Sequence, residues 1–274
     1  MNKKLIAVAV AGAIAGPTIM SAAGADVSVY GALYPRVTVK DGDVSFSDGA
    51  SRFGFKSSTD MGNGNTVAGV IEVGVDVGNG KMASADKSRL ANVSYSGDWG
   101  SLLLGSGWSI DNAKKACWNS GQTCNQVGYQ GRVADMVQIT GDVGGFSISA
   151  QLEADGTDST SAWGIATGLD VGSVSIGAFY RNTDAASTTH VGAGTTLAGV
   201  KLGVEFGDSS AGTDSWAMAA KINGIAVTMD EGSDGNQDIS ANYNIDLGGS
   251  TLRLIIADNE PADTMLGVQW NYSL

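Results

Sequence analysis

The chain ends LGVQWNYSL (residues 266–274). Leu266, Val268, Trp270, Tyr272 and Leu274 alternate there with Gly267, Gln269, Asn271 and Ser273. A period of two is the signature of an extended strand, whose successive side chains point to opposite faces. The same alternation runs through Val200, Leu202, Val204 and Phe206, and through Phe146, Ile148, Ala150 and Leu152. It returns at Val174/Ile176/Ala178/Tyr180, Ile239/Ala241/Tyr243/Ile245/Leu247 and Leu252/Leu254/Ile256. About sixteen such segments follow one another, from 26–40 to 263–274. Pairs rich in Gly and Asn, such as Asn223-Gly224 and Gly248-Gly249, separate many of them as turns.

Composition narrows the fold. The 274 residues hold 40 Gly, 3 Pro and only 16% charged residues, against about 25% in a soluble domain. The faces opposite the apolar ones are Gly, Ser, Asn and Thr with sparse charge. A soluble sandwich buries its apolar face and covers its outside with charge, whereas a barrel in lipid turns the apolar face outward. Trp99, Trp108, Trp163, Trp216, Trp270 and Tyr272 gather near strand ends, as in an interfacial girdle. The expected fold is an all-β, transmembrane, antiparallel β-barrel of about sixteen strands over residues 26–274. At ~10 residues per strand, sixteen strands leave about 90 of the 249 residues after position 25 for connections, and the longest lies near 108–129.

Residues 1–25 read as a secretory signal. Lys3 and Lys4 precede the apolar run Leu5–Gly16, and Ala23-Gly24-Ala25 supplies small residues for cleavage. The run is too short to cross a hydrocarbon core, which takes roughly 20 residues. Removing it leaves 14 cations against 28 acids, a net charge of −14. Such a charge argues against a nucleic-acid partner. One histidine, His190, and two cysteines leave little material for a metal cluster or a His-based catalytic site, so neither cofactor, metal nor enzymatic activity is expected. Cys117 and Cys124 have six residues between them, and an exported chain meets an oxidising compartment, so a disulfide is the default and free thiols the alternative.

Several stretches resemble the Gram-negative general porin family. They are Val27–Gly31, Ser51–Lys56 followed by Asp60–Gly64, Ser88–Ala91 followed by Gly97–Ser101 and Leu104-Gly105, and Gly144–Gln151, in that order along residues 26–154. Two positions depart from the family's pattern: Ser106 stands where an arginine is usual, and Leu274 where the chain usually ends in phenylalanine. The resemblance implies a passive diffusion channel for ions and small hydrophilic solutes in the outer membrane, assembled as a homotrimer among lipid and lipopolysaccharide. It also implies that residues 108–129 fold into the barrel as a constriction loop.

Carried over residue by residue, the resemblance puts Arg52, Arg89 and Arg132 on a basic wall of the constriction, on the face opposite Phe53, Leu90 and Val133. Arg36, Lys40 and Lys56 share that inward phase, because a charge facing lipid costs about 2–4 kcal/mol at mid-membrane. Such a wall either orients dipolar solutes by a transverse field or simply solvates the lumen. Asp111 is the loop's acid, beside Lys114 and Lys115, and Glu72 and Asp76 are candidates for the rest of the acidic side. Asp155/Asp158, Asp208/Asp214 and Asp230/Glu231/Asp234/Asp238 read as loop acids, either solvated or holding divalent cations that bridge to lipopolysaccharide. The alternative function is a structural or adhesive barrel with a plugged lumen.

Overall fold

A computed structural model describes residues 26–82, 88–110, 131–154, 160–212, 214–232, 235–259 and 264–274. The proposed signal (1–25), Asp111, Lys114, Lys115, Cys117, Cys124, Asp155, Asp158 and Asp234 lie outside these residues.

The strands form one closed antiparallel barrel of sixteen staves. The first, β1, is broken at Tyr34 into Asp26–Leu33 and Pro35–Lys40, and β2 is broken at 49–51 into Asp43–Asp48 and Arg52–Gly62. Then follow β3 (Asn65–Asp76), β4 (Ser88–Gly97), β5 (Gly100–Trp108), β6 (Arg132–Val143), β7 (Phe146–Ala154) and β8 (Thr160–Val171). The second half comprises β9 (Val174–Thr183), β10 (Ser187–Leu197), β11 (Val200–Ser209), β12 (Ser215–Ile222), β13 (Ile225–Glu231), β14 (Gln237–Asp246), β15 (Ser250–Asn259) and β16 (Met265–Ser273). Each pairs with the next, and β16 closes the ring on β1, with Leu33 opposite Tyr272 and Arg36 opposite Gln269. Closure leaves no free sheet edge, the condition for backbone to cross lipid.

One end carries tight turns. Asn63-Gly64, Gly144-Gly145, Ala198-Gly199 and Asn223-Gly224 each take positive φ at both residues. Two such residues make the turn whose twist matches the flanking strands, hence the sequence preference for Gly and Asn there. The longer connections lie at the opposite end, the arrangement of an outer-membrane barrel with short periplasmic turns.

The alternation read in the sequence sorts the two faces. Val29, Phe55, Ile71, Val93, Ile139, Ile165, Phe206, Ile256 and Leu266 are all exposed on the outside. An apolar belt of this extent is stable only in lipid. Aromatic rings flank it at both ends: Tyr95 packs on Trp99 beside a tight turn with ring centroids 5.6 Å apart, and Trp163 packs on Tyr180 at 5.4 Å toward the loop end.

The break in β2 is locally programmed. The Asp48 carboxylate accepts hydrogen bonds from the N–H groups of Ala50 and Ser51, and Ala50 takes φ 80. The Ser51 hydroxyl then accepts the Tyr34 N–H at 2.7 Å. This stitch brings the break in β1 against the break in β2, and sets Tyr34 beside Arg52.

Candidate functional site

Arg52, Gly54 and Lys56 face inward on β2, since Gly54 pairs with Glu72 and Arg52 with Gly74 on the lumenal side of β3. Arg89 arrives differently. Glu72 pairs with Leu90 and the next residue, Val73, pairs with Ser88, so β4 holds one extra residue, a β-bulge. Bulges re-aim side chains, and here Arg89 turns into the lumen together with Leu90. The expectation that Leu90 faces outward, opposite Arg89, is therefore corrected: Leu90 lines a lumenal cleft with Val70 and Glu72.

A second bulge lies between β5 and β6. Gly105 pairs with Met136 but Gly107 pairs with Val133, and Asp135 takes φ 50. Val133, expected on the outer face, is buried as the partner of Gly107. Arg132 stacks over the Trp108 ring at 5.5 Å, within electrostatic reach of Arg89, Glu72 and Arg52.

The four strands converge on Glu72. Its Oε1 accepts the Arg89 Nε–H at 2.5 Å, its Oε2 accepts the Tyr30 hydroxyl at 3.1 Å, and Arg52 Nε lies 3.5 Å from the same oxygen. Glu72 is thus the shared counter-ion of Arg89 and Arg52. Asp76 does not join the cluster. Its exposed carboxylate accepts the backbone N–H groups of Gly78 and Asn79 and caps a turn.

Lys56 Nζ sits 4.4 Å from the Tyr30 ring centroid, and the Arg52 guanidinium 5.2 Å from that of Tyr34. The basic surface continues around β1 and β15. Arg36 donates two hydrogen bonds to the Gln269 amide oxygen at 2.8 and 2.6 Å, and Arg253 donates to the Asn244 amide oxygen at 3.0 Å. Neutral amides orient these two guanidiniums without cancelling their charge.

Halfway around a sixteen-stave ring from β4 lies β12, and its neighbours carry the acids. Glu205 on β11, Asp230 on β13 and Asp238 on β14 are 2%, 0% and 4% exposed. Register sets them in one row, Glu205 opposite Ala217, Ala217 opposite Asp230, and Asp230 opposite Asp238. The reading of Asp230 and Asp238 as loop acids is corrected, because both are strand residues of the inner wall. The sequence reading missed this row, although Thr228 and Asp230 alternate with Val227 and Met229.

The first residues past β5 pack against the inner wall. Ile110 is 2% exposed, packs with Ala166 and Phe179 of the inner wall, and donates its backbone N–H to the Gln151 amide oxygen at 3.0 Å. Gln151 in turn donates to Glu153, which is held by Arg181 in a two-point ion pair at 3.0 and 2.9 Å. Ile110, two residues past the end of β5, therefore packs inside the barrel against β7–β9. His190, expected on a wall or in a loop, is a buried wall residue stacked on Phe179 at 4.3 Å. The inner faces of β7, β10, β11, β13 and β14 are covered, while Arg52, Lys56, Val70 and Leu90 remain partly or fully exposed on β2–β4.

A family model described as Gram-negative porin matches residues 7–274. No curated protein matches the chain. Among solved structures, the chain is similar to the anion-selective porin from Comamonas acidovorans, at TM-score 0.70 and 16% identity over 92% of this chain and 100% of that one. It is also similar to the outer membrane protein OmpT of Vibrio cholerae in its trimer form, at TM-score 0.70 and 14% identity over 92% and 100%. A mutant of the Rh. blastica porin gives TM-score 0.71 and 14% identity over 91% and 100%. At such identities these structures speak for the barrel, while the family match covers nearly the whole sequence. The chain belongs to the Gram-negative porin family and is a passive channel of the outer membrane that lets ions and small solutes through.

Proposed function

We propose that the aqueous path runs along the basic wall of β1–β6 and that this wall, not the overall negative charge, sets selectivity. The observation that carries this reading is the uneven covering of the lumen. Arg52 and Arg89 share one acid, Glu72, on the open side, with Lys56 in the same cleft and Arg132 within electrostatic reach, whereas the row Glu205, Asp230 and Asp238 is buried on the far side. Small anions and the negative ends of dipolar solutes follow the open wall, and the field across the lumen orients them. Charges on exposed loops count for less, because salt screens them over about 8 Å under physiological conditions.

The chain works as a homotrimer seated among lipid and lipopolysaccharide, carries no catalytic centre, and has its first 25 residues removed on export. Cys117 and Cys124 form a disulfide in the segment after β5 and stiffen its passage through the lumen. Asp111 adds to the acidic side.

Reversal potentials of the purified protein in a planar bilayer under a potassium chloride gradient test the proposal. Anion preference is expected, moving toward cations in Arg89→Ala or Arg132→Ala. An unmoved reversal potential in both variants contradicts it.

A further inference from the structure

We infer that the lumenal cleft between β1, β2, β3 and β4 is a binding station for small organic anions that carry an apolar body, such as aryl or short-chain alkyl carboxylates. The inference rests on the reading of β1–β6 as the open side of the lumen. The cleft encloses about 360 Å³ and is lined by Tyr30, Tyr34, Arg52, Lys56, Val70 and Leu90, with Glu72 at its floor. That volume lies at the small end of the range for small-molecule sites, roughly 300–1,000 Å³.

The charge at the cleft selects an anion. Glu72 is engaged by Arg89, Tyr30 and Arg52, so it has little left to offer a cationic ligand. Arg52 is the accessible member, its side chain 29% exposed against 11% for Arg89. A guanidinium has five N–H donors. Arg52 gives one to the Ala50 carbonyl at 3.2 Å and one to the Tyr34 hydroxyl at 3.3 Å, and Nε faces Glu72. The remaining N–H groups and the Lys56 ammonium are available for a carboxylate. The Tyr34 and Tyr30 rings hold both cations in place from beneath.

Val70 and Leu90 select the apolar body. They present aliphatic surface to the cleft beside its charged groups, and Leu90 is there because the bulge turns it inward with Arg89. Apolar surface facing lumenal water is relieved when a ligand covers it. A neutral aromatic offers nothing to the Lys56 ammonium and the remaining Arg52 N–H groups, and an inorganic anion leaves the Val70 and Leu90 surface wet, so the cleft suits the molecule that has both parts.

Single-channel recording with phenylacetate, acetate or 2-phenylethylamine added to the bath tests this. Phenylacetate is expected to interrupt the current at about tenfold lower concentration than acetate, the gain from covering roughly 60 Å² of apolar surface. The amine is expected not to interrupt it at those concentrations. Leu90→Asn, or Val70→Asn as a second variant, should shrink the preference for phenylacetate over acetate to about twofold, and Lys56→Gln should weaken both acids together. Equal action of the two acids on the unmodified protein, or equal action of the amine, overturns the inference. Reversal potentials that do not respond to Arg89→Ala overturn the basic-wall reading instead, so the two failures are told apart.

Discussion

Arg89 reaches the lumen because β4 is one residue longer than the stretch of β3 it faces, so its position depends on a bulge more than on alternation. Plain alternation in Ser88–Ala91 puts Arg89 inside and Leu90 outside, and only half of that holds. An inserted residue leaves no mark in a hydrophobic pattern, which is why both bulges escaped the sequence reading, while Arg36 and Lys56 follow the phase of their strands and Arg52 was placed by resemblance. Asp230 and Asp238 were misread for another reason: their acidic neighbours Glu231 and Asp234 made the stretch look like a solvated loop. Glu72 is the residue on which the cluster turns. Glu72→Gln leaves Arg52 and Arg89 without the carboxylate they share. It should move the reversal potential further toward anions while destabilising the protein by about 3 kcal/mol, as expected when one member of a buried ion pair is removed. Urea unfolding in detergent, read beside the bilayer measurement, checks both signs. A variant that gains stability contradicts the role assigned to Glu72.

At the scale of the strand, most of the barrel was legible. Period-two alternation and Gly/Asn turns predicted about sixteen segments, and sixteen staves form because each must separate lipid from water along its whole length. Two elements carry predictions. On β8, Ile165 faces lipid and is exposed there. Ile165→Arg should cost about 2–4 kcal/mol if the residue lies near mid-membrane, measurable as a lowered folding midpoint in vesicles. An unchanged midpoint places the lipid belt elsewhere. On β5, Gly105 takes φ 117 beside the bulge, and a Cβ there would lie 2.3 Å from the Ala91 carbonyl oxygen. Gly105→Ala therefore combines backbone strain of about 1–3 kcal/mol with a backbone clash, and should reduce the yield of heat-resistant folded protein on gels. Just past β5, Ile110 is buried and donates its backbone N–H to the Gln151 amide oxygen on β7. Gln151→Ala removes the acceptor of the Ile110 N–H, and should raise open-channel current noise more than it lowers the folding midpoint.

The whole molecule inverts the usual order of a folded protein. Its apolar side chains face out, while Arg52, Arg89 and Glu72 on one side of the inner wall lie across from the buried row Glu205, Asp230 and Asp238. Closure of the ring explains why so little charge suffices outside, and the sparse charge is what first separated this chain from soluble β proteins. Passive conduction follows from the shape, because a sixteen-stranded barrel with a polar inner wall encloses an aqueous path. The most direct measurement is single-channel recording of the purified, refolded chain in a planar bilayer. Discrete upward current steps that scale with salt concentration are the predicted result. A bilayer that stays silent although circular dichroism reports a folded β protein would contradict a conducting lumen and favour a plugged structural barrel.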